Sequence, residues 1–485
     1  RLKQMRGAIE QSDGTWLMRS FEKARGARRL FSSLSFHRSS REDSSLPSTL
    51  QSYYAKEGFS GVIRVPGDKS ISHRSIMLGA LAEGVTIVEG CLEGEDVIAT
   101  IQAFREMGVQ IDGPREGRVK IYGVGRNGLI APRSALYLGN SGTSMRLLSG
   151  ILIGQSFSTE LRGDESLSRR PMRRIADPLG QLGAIIETEN DGTPPIRIRG
   201  GQLLTGCHIG MTVASAQVKS ALLLGGLFAD GETIVSEVTP TRDHTERMLT
   251  GFGYPVERHG STVHILGGGC LNACQIDVPG DISSAAFFIV AASIVPGSDL
   301  IIEHVGVNPT RTGILKILNL MGANIEVLNS RMVGGEPVAD LRIRSAELSG
   351  IEVPPDLVPP AIDEFPVLFV AACFATGSMV ITGAEELRVK ESDRIQVMAD
   401  GLKILGVKIS SKPDGAIIEG RGHKFLFSSG SVNAHDDHRV AMAFCVAGLR
   451  SKGLIEIDNC ANINTSFPNF ISLAQEAGFD IAVAG

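Results

Sequence analysis

Residues 65–74 read VPGDKSISHR, and this is the most informative stretch of the chain. A strand-like run ends in a Pro-Gly turn, and Asp68, Lys69 and Ser70 follow at the predicted start of a helix. Free N–H groups and the positive end of the dipole favour an anion at such a start, which Lys69, Ser70 and Arg74 surround. The alternative is a capped helix with a solvated basic face. The recurrence of similar starts along the chain favours an anion-binding site.

One pattern occurs six times after residue 55: a polar helix start, an apolar helix, a turn with glycine and a β-branched strand. The six starts lie at residues 68–70, 140–143, 214–217, 281–284, 362–364 and 436–439. Each unit also holds a second amphipathic helix that ends in glycine, at 96–108, 170–183, 243–253, 310–322, 393–406 and 467–478. Glycine is favoured there because the residue after a helix often needs a left-handed conformation. Repetition at this level predicts an α/β fold of six βαβαββ units with helices inside and sheets outside.

The tripeptide Pro-Gly-Asp occurs at residues 66–68 and again at 279–281. We interpret these sites as the two points at which the chain crosses between domains of three units each. One domain is then residues 68–280, and the other is 56–67 plus 281–485. A chain of 485 residues exceeds what one core usually serves. Paired crossings form a hinge, and closure of a hinge can expel water from reacting groups.

The first 55 residues differ from the rest because they are rich in Arg and Ser. We expect residues 1–55 to be an N-terminal extension, and three origins stay open. A basic, Ser-rich segment is typical of an organellar transit peptide, although five acidic residues and a first residue other than Met oppose this. The segment also resembles the tail of a prephenate dehydrogenase, which would make this chain the remainder of a fused two-enzyme polypeptide. The third origin is a disordered leader.

The composition excludes several classes of partner. The formal net charge of −5 argues against nucleic acid and anionic membranes. The longest apolar run, residues 285–295, is too short to span a bilayer. Seven cysteines without paired spacing predict reduced thiols in a cytoplasmic compartment, and the ten histidines show no zinc-type spacing with them. We therefore expect a soluble protein without a metal site.

Charged and polar residues cluster around the helix starts, in a chain that is negative overall. They are Lys69, Ser70, Arg74, Asn140, Gly142, Thr143, Arg169, Arg170, Ser215, Gln217, Lys219, Arg242, Asp363, Glu364, Lys390, Glu391, Arg394, Asp437, His438 and Arg439. Arginine binds phosphate and carboxylate through two parallel hydrogen bonds. The cluster therefore predicts a cleft for a ligand with several negative charges. A salt-bridged surface helix at 388–394 and a capped helix at 437–439 are the alternatives.

Asp363 and Glu364 begin an otherwise apolar helix. Acids at a helix start favour the dipole and can serve as caps alone. An acid that faces a cation-lined cleft is also placed for general-base catalysis, and Glu391 and Lys69 could move protons opposite it. No Ser-His-Asp or Cys-His arrangement stands out in the sequence.

With these residues, the chain closely resembles the EPSP synthase family of enolpyruvyl transferases over roughly residues 57–480. The motifs that carry the resemblance lie at 66–74, 139–143, 169–172, 388–394 and 437–439. The resemblance implies a two-domain inside-out α/β barrel of the EPT/RTPC-like type, with three repeats in each domain. It also implies transfer of the enolpyruvyl group of phosphoenolpyruvate to the 5-hydroxyl of shikimate 3-phosphate, through a tetrahedral intermediate and without metal or cofactor.

The resemblance also assigns roles to individual residues, which are expectations at this point. The catalytic residues are Asp363, Glu391 and Lys69. Shikimate 3-phosphate is expected at Lys69, Ser70, Arg74, Ser215, Ala216, Gln217, Arg242, Asp363 and Lys390. Phosphoenolpyruvate is expected at Lys69, Asn140, Gly142, Arg170, Gln217, Arg394 and Arg439.

The sequence departs from the family pattern at two positions. Asn464 stands near the position where many members carry a lysine that contacts phosphoenolpyruvate, and Ala216 stands where others have serine. Gly142 occupies the position where alanine blocks the herbicide glyphosate in some members, so we expect glyphosate to inhibit. We expect a monomer. The rival interpretation is a non-catalytic anion-binding remnant of a fused pathway enzyme.

Overall fold

The central helix of each unit begins at its predicted polar start. The computed structural model describes residues 49–484. The six central helices span Lys69–Leu81, Gly142–Leu152, Ala216–Gly226, Ile282–Ile294, Phe365–Cys373 and His438–Gly448. At five starts the preceding side chain accepts a backbone N–H of the first turn, from Asp68, Ser141, Ser215, Asp281 and Asp437. Such N-caps satisfy donors that a helix leaves free, and the six predicted starts are confirmed.

The second helix of each unit ends before a glycine, as predicted. These helices span Glu95–Glu106, Arg173–Gln181, His244–Gly251, Gly313–Leu320, Arg394–Ile404 and Phe470–Glu476. The glycines that follow have φ between +77° and +99°, at Gly108, Gly183, Gly253, Gly322, Gly406 and Gly478. Short 3-10 turns lie at Leu167–Arg169, Pro355–Leu357, Pro359–Ala361, Glu385–Val389 and Ala461–Thr465.

The strands of the described residues form six small sheets. In spatial order, the first sheet contains Leu271–Asn272 with Gln275–Asp277, Ala82–Glu89, Arg118–Val124 and Gln110–Arg115, and the second contains Leu136–Tyr137, Thr159–Arg162, Ile196–Ile198 and Ile186–Glu187. The third sheet contains His208–Gly210, Glu232–Ser236, Thr262–Leu266 and Glu257–His259, and the fourth contains Asn324–Val333, Glu336–Arg344, Asp299–Gly306 and Ser60–Ile63. The fifth sheet contains Ser378–Ile381, Gly415–Glu419 and Ile409–Lys412, and the sixth contains Gly430–Asn433, Ile455–Asp458, Thr49–Ser52 and Ile481–Val483.

Five of these sheets repeat one mixed pattern, in which one edge strand is parallel to its neighbour and the other pairs are antiparallel. The central helices are buried against the sheets, and all 13 residues of Ile282–Ile294 are buried. Because a helix that is apolar on every side must lie in a core, this arrangement places helices inside and sheets outside.

The two Pro-Gly-Asp tripeptides lie side by side. The backbone N–H of Asp68 donates to the carbonyl oxygen of Pro279 at 2.8 Å, and that of Asp281 donates to Pro66 at 2.9 Å. The strands next to the two tripeptides also form edge pairs with distant parts of the chain. Strand Ser60–Ile63 pairs in parallel with Asp299–Gly306, and the strand Gln275–Asp277 pairs in parallel with Ala82–Glu89.

Buried apolar side chains form two hydrophobic clusters within one compact unit. One cluster draws on residues 71–278, and the other on residues 50–65 and 282–481. These ranges fall within the two predicted domains except at Leu50 and Ala55, which lie before residue 56. We refer to residues 68–280 as the first lobe and to residues 56–67 plus 281–484 as the second; the division stays a prediction.

Residues 49–55, which the sequence analysis assigns to the N-terminal extension, are part of the fold. Strand Thr49–Ser52 lies in the sixth sheet between Ile455–Asp458 and Ile481–Val483. Leu50 is fully buried, and the Ser52 hydroxyl donates to the Cys445 carbonyl oxygen at 2.8 Å. The boundary at residue 55 is therefore too late, because pairing across some 400 residues has no local signal. The three proposed origins of the extension lie outside the described residues.

Within residues 49–484, no helix is long and apolar enough to cross a membrane.

Candidate active site

The starts of all six central helices line one cavity of about 460 Å³. Representative lining residues at these starts are Lys69, Gly142, Ser215, Asp281, Asp363 and Arg439. Their convergence follows from the repeat, because every unit packs its central helix with the same polarity toward the centre. Helix N-termini carry free N–H groups and partial positive charge, so the cavity favours anions before any side chain is considered.

The side chains of the cavity add to this positive field. Nine lysines and arginines line it, against six carboxylates, in a chain whose formal net charge is −5. Most of the residues that the sequence analysis assigned to substrates lie in this lining: Lys69, Ser70, Asn140, Gly142, Arg170, Ser215, Ala216, Gln217, Arg242, Asp363, Lys390, Glu391, Arg394 and Arg439. The structure thus brings together residues separated by up to 370 positions, from both lobes.

Asp363 lies at the centre of a cationic shell. Its carboxylate accepts from Arg242 Nη2 at 2.5 Å and from Arg394 Nη1 at 3.4 Å, and Lys390 Nζ lies 3.6 Å away. Arg439 Nη1 donates to the Asp363 backbone carbonyl oxygen at 3.2 Å. Arg242 belongs to the first lobe and Asp363 to the second, so this pair joins the two sides of the cavity.

The charges around Asp363 control its protonation. Burial by itself raises the pKa of this carboxyl group, because the charged form loses solvation. The surrounding cations outweigh burial and hold the pKa well below its ordinary value of 3.8; they are Lys390, Arg242, Arg439 and Arg394. Asp363 is therefore ionised at neutral pH and able to accept a proton.

Glu391 is bound by an arginine on each of its oxygens. Arg170 Nη1 lies 3.3 Å from one oxygen, and Arg394 Nη2 donates to the other at 2.6 Å. Burial raises the pKa of Glu391, but Arg394 and Arg170 more than offset this and hold it well below 4.5. Arg394, only 1% exposed, also donates from Nε to Asp437 at 2.8 Å. In this state Glu391 carries no proton at neutral pH, and it can take one up only when anions compete for its arginines.

Lys69 lies at the first helix start and forms an ion pair with Asp96. His438, at the sixth start, also lines the cavity. Burial, together with the charges of Lys69 and Arg439, lowers the pKa of His438 to about 3. His438 is therefore neutral at physiological pH, and the positive charge of the cavity comes from lysine and arginine alone among its lining residues.

Two amide side chains are oriented by hydrogen bonds within the lining. Asn140 accepts from Arg170 Nη2 and donates to Asp164 at 2.7 Å. Gln217 accepts from Arg146 Nη1 at 2.6 Å and donates to the Thr143 hydroxyl at 3.0 Å. These contacts present the arginines to the cavity in one orientation.

Arg74 does not line the cavity, contrary to the sequence expectation. It is 4% exposed, and its guanidinium donates to the Thr245 hydroxyl at 2.7 Å, the Ser220 hydroxyl at 2.7 Å and the Ser70 carbonyl oxygen at 3.0 Å. One helical turn after Ser70, this side chain points between neighbouring helices and packs behind the lining. Lys219, also included in the predicted cluster, is fully buried behind the lining.

Several lining residues were missed by the sequence analysis. Arg146 lies one turn after Gly142, and Arg174 is the second residue of the helix Arg173–Gln181; neither position is one of the six polar helix starts of the repeat pattern. Arg174 forms a two-point ion pair with Glu386 of the second lobe, at 3.1 and 3.3 Å. The Arg-rich run at 169–174 could have indicated that Arg174 also lines the cavity. Its partner Glu386 lies 212 residues away, and nothing in the local sequence indicated that the two residues pair.

The carboxylates of the site predict that acid destabilises the fold. Because the pKa values of Asp363 and Glu391 lie below their ordinary values, the unfolded chain binds more protons than the native chain in acid. Their stabilising contribution is complete above about pH 5 and is lost as the pH falls below about 4. Urea unfolding at neutral and acid pH should show this loss, and Glu391→Gln should show a smaller one. Glu476→Gln is the control, because Glu476 is exposed, and its loss of stability in acid should equal that of the parent chain. An equal loss in the parent chain and in Glu391→Gln would contradict the prediction.

Within the described residues, no group of three or more His, Cys, Asp or Glu side chains could hold a metal ion.

The family model of EPSP synthase (3-phosphoshikimate 1-carboxyvinyltransferase) matches residues 54–473. The chain belongs to this family. It is 62% identical to the 3-phosphoshikimate 1-carboxyvinyltransferase of Methylococcus capsulatus over 424 residues, which are 87% of this chain and 96% of that protein. It is 63% identical to that of Alkalilimnicola ehrlichii over 418 residues, covering 86% and 93% of the two chains. The predicted family and enzyme class are confirmed.

Solved structures confirm the predicted fold class. EPSP synthase from Acinetobacter baumannii matches with a TM-score of 0.82 and 56% identity, covering 90% of this chain and 100% of that one. The enolpyruvyl transferase NikO from Streptomyces tendae matches with a TM-score of 0.71 over 90% and 99% of the two chains. At 18% identity, the second match shows a shared fold alone.

The departures from the family pattern have structural consequences. Ala216 lines the cavity, where its backbone remains available to a ligand. Asn464 lies in the turn Ala461–Thr465 and is not among the residues that line the cavity. A Cβ added at Gly142 would lie 3.1 Å from Nη1 of both Arg146 and Arg170, so the missing side chain leaves room beside two guanidinium groups.

Proposed function

We propose that this chain transfers the enolpyruvyl group of phosphoenolpyruvate to the 5-hydroxyl of shikimate 3-phosphate and releases phosphate. One observation carries the proposal: six helix starts and nine cations surround a single cavity in a member of this family. Two small substrates, each with a phosphate and a carboxylate, repel one another in water. A preorganised cationic cavity offsets that repulsion and holds the reacting atoms together.

We assign most of the polar lining of the cavity to the two proposed substrates. Shikimate 3-phosphate lies against Lys69, Ser70, Ser215, Ala216, Gln217, Arg242, Asp363 and Lys390. Phosphoenolpyruvate lies against Lys69, Asn140, Gly142, Arg170, Gln217, Arg394 and Arg439. Arg74 supports the first set from behind through its hydrogen bond to the Ser70 carbonyl oxygen. Arg146 and Arg174 add two further cations to the cavity lining.

Asp363 is the proposed general base. It accepts the proton of the 5-hydroxyl while that oxygen attacks C2 of phosphoenolpyruvate and C3 gains a proton. A tetrahedral intermediate results, and loss of phosphate from C2 with loss of a proton from C3 leaves the enol ether. Because the anionic substrates take over the cations that now contact Asp363, its pKa rises on binding and the carboxylate becomes a stronger base.

Lys69 and Glu391 are the proposed proton carriers for C3. Glu391 needs substrate anions for this role, since Arg170 and Arg394 otherwise keep it ionised. Binding of phosphoenolpyruvate to those two arginines would free the carboxylate. Proton transfer by Glu391 therefore follows binding of phosphoenolpyruvate, because the substrate must first displace the carboxylate from its two arginines.

The rival function is anion binding without catalysis. It predicts that the chain binds shikimate 3-phosphate but forms no product. Incubation with both substrates, followed by NMR detection of the enol ether, separates the two functions. Phosphate release alone is insufficient, because hydrolysis of phosphoenolpyruvate also releases phosphate. Tight binding without enol ether would favour the rival.

Gly142→Ala is expected to reduce inhibition by glyphosate, which we propose binds at the phosphoenolpyruvate site. The added methyl group crowds Arg146 and Arg170 at 3.1 Å, and overpacking of this kind costs about 1–3 kcal/mol, or roughly tenfold or more in affinity. The inhibition constant should be measured at several phosphoenolpyruvate concentrations in both proteins. Gly210→Ala is the control, because a Cβ there meets nothing within 4 Å. Inhibition that does not compete with phosphoenolpyruvate would refute the shared site.

We also propose that the chain acts as a monomer in the cytoplasm. The seven cysteines are free thiols, which suits a reducing compartment. Sedimentation at micromolar concentration tests the monomer directly.

A further inference from the structure

Arg242 is carried by a short loop whose shape is held from behind the cavity. The loop, residues 237–242, connects strand Glu232–Ser236 to helix His244–Gly251. At its end, Arg242 reaches across the cavity to Asp363 at 2.5 Å. An arginine on a loop aims correctly only if the backbone before it is fixed, because its side chain alone has many rotamers.

Two buried charged residues fix that backbone. Glu237 Oε1 accepts the backbone N–H of Thr241 at 2.9 Å and its hydroxyl at 2.5 Å. Lys219 Nζ donates to the Thr241 carbonyl oxygen at 3.3 Å. Both backbone polar groups of Thr241 are therefore held by charged side chains, and the direction in which the chain continues to Arg242 is determined.

Lys219 and Glu237 belong to a buried ionic cluster. Lys219 Nζ lies 3.1 Å from Glu237 Oε1 and 2.7 Å from Glu246 Oε1, so its charge is paired with two carboxylates in addition to its hydrogen bond to the Thr241 carbonyl oxygen. The side chains of Lys219 and Glu237 are 0% exposed. Arg258 contacts Glu237 Oε2 at 3.2 Å from the solvent side and is 34% exposed.

Stability is a weak reason for such a cluster. Burying ions costs desolvation energy, and apolar residues of similar volume are often as stable or more so. Each contact of the cluster with the loop instead acts on Thr241, the residue before Arg242. The geometry favours a role in positioning.

We propose that Lys219 and Glu237 are positioning residues that aim Arg242 at the substrate, and that they contribute to binding of shikimate 3-phosphate without touching it. The inference rests on the proposed function only through the assignment of Arg242 to that substrate. The predicted cluster of cleft cations included Lys219; its ammonium group acts from behind the lining instead.

The test is a double-mutant cycle on binding. Glu237→Gln and Lys219→Met are made singly and in the background of Arg242→Ala, and the dissociation constant of shikimate 3-phosphate is measured by calorimetry. Each single variant is expected to weaken binding about tenfold, because Glu237→Gln replaces a charged acceptor of Thr241 with a neutral one and Lys219→Met removes its charged donor. In the Arg242→Ala background the same changes should have almost no effect, since residues that act through one another are not additive.

The controls separate positioning from general destabilisation. Arg450→Met removes a buried cation that donates to the carbonyl oxygens of Ile294 and His423 in the second lobe, and it should leave binding unchanged. If Lys219→Met does not fold, the isosteric Glu237→Gln decides alone. Equal effects with and without Arg242 would overturn the inference. Calorimetry does not require turnover, so absence of enol ether in the parent chain would contradict the proposed function and leave this cycle decisive.

Discussion

Asp363→Asn is expected to lower kcat about 10²- to 10⁴-fold while shikimate 3-phosphate still binds. Asparagine has nearly the same shape but cannot accept the 5-hydroxyl proton. It also removes the negative charge that balances Arg242, Lys390 and Arg394. Freed cations attract anionic ligands more strongly, so the loss should appear in kcat rather than in substrate affinity.

The measurement is formation of the enol ether by NMR, with binding followed separately by calorimetry. Asp299→Asn is the matched control, because Asp299 is also held by two arginines, Arg342 and Arg344, but lies outside the cavity lining. Its kcat should equal that of the parent chain. A kcat within threefold of the parent in Asp363→Asn would exclude Asp363 as the base, on the scale of general-base effects.

Arg394→Met is expected to reduce the free energy of unfolding by about 3–5 kcal/mol, the usual result of removing one partner of a buried ion pair. Arg394 is 1% exposed and contacts Glu391 at 2.6 Å, Asp437 at 2.8 Å and Asp363 at 3.4 Å. Methionine fills a similar volume but leaves three carboxylates without this shared cation. Binding of phosphoenolpyruvate should weaken as well, since Arg394 lines its proposed site.

Urea unfolding at neutral pH measures the effect on stability. Arg342→Met provides the control, because Arg342 and Asp299 form a pair at 2.7 Å in which both side chains are at least 35% exposed. Exposed ion pairs contribute little to stability, because solvent screens their charges. Similar losses in the two variants would show that the Arg394 carboxylate cluster adds little to the fold. At lower pH the difference in the free energy of unfolding between Arg394→Met and the parent chain should become smaller, because the carboxylates that have lost Arg394 become protonated.

Local signals account for the part of this protein that sequence predicts well. A capping residue such as Asp68 or Ser215 specifies where a helix starts, because it must accept N–H groups within its own first turn. A glycine such as Gly108 marks where a helix ends, because the left-handed conformation is costly for other residues. Repeated six times, these signals predict the fold class. The motifs built on them identify the family and most of the cavity lining.

Contacts between distant residues decided the rest. Whether an arginine lines the cavity or packs behind its lining depends on its neighbours in space. Arg74 and Arg146 each lie one turn after a helix start, yet Arg146 lines the cavity and Arg74 packs behind it against Thr245. The strand Thr49–Ser52 joins the sixth sheet through partners at the other end of the chain. The low pKa of Glu391 depends on Arg394 and also on Arg170, which lies 221 residues away. Burial and charge pairing arise only when both lobes are in place, because each is a property of the packed surroundings and neither is a property of the residue itself.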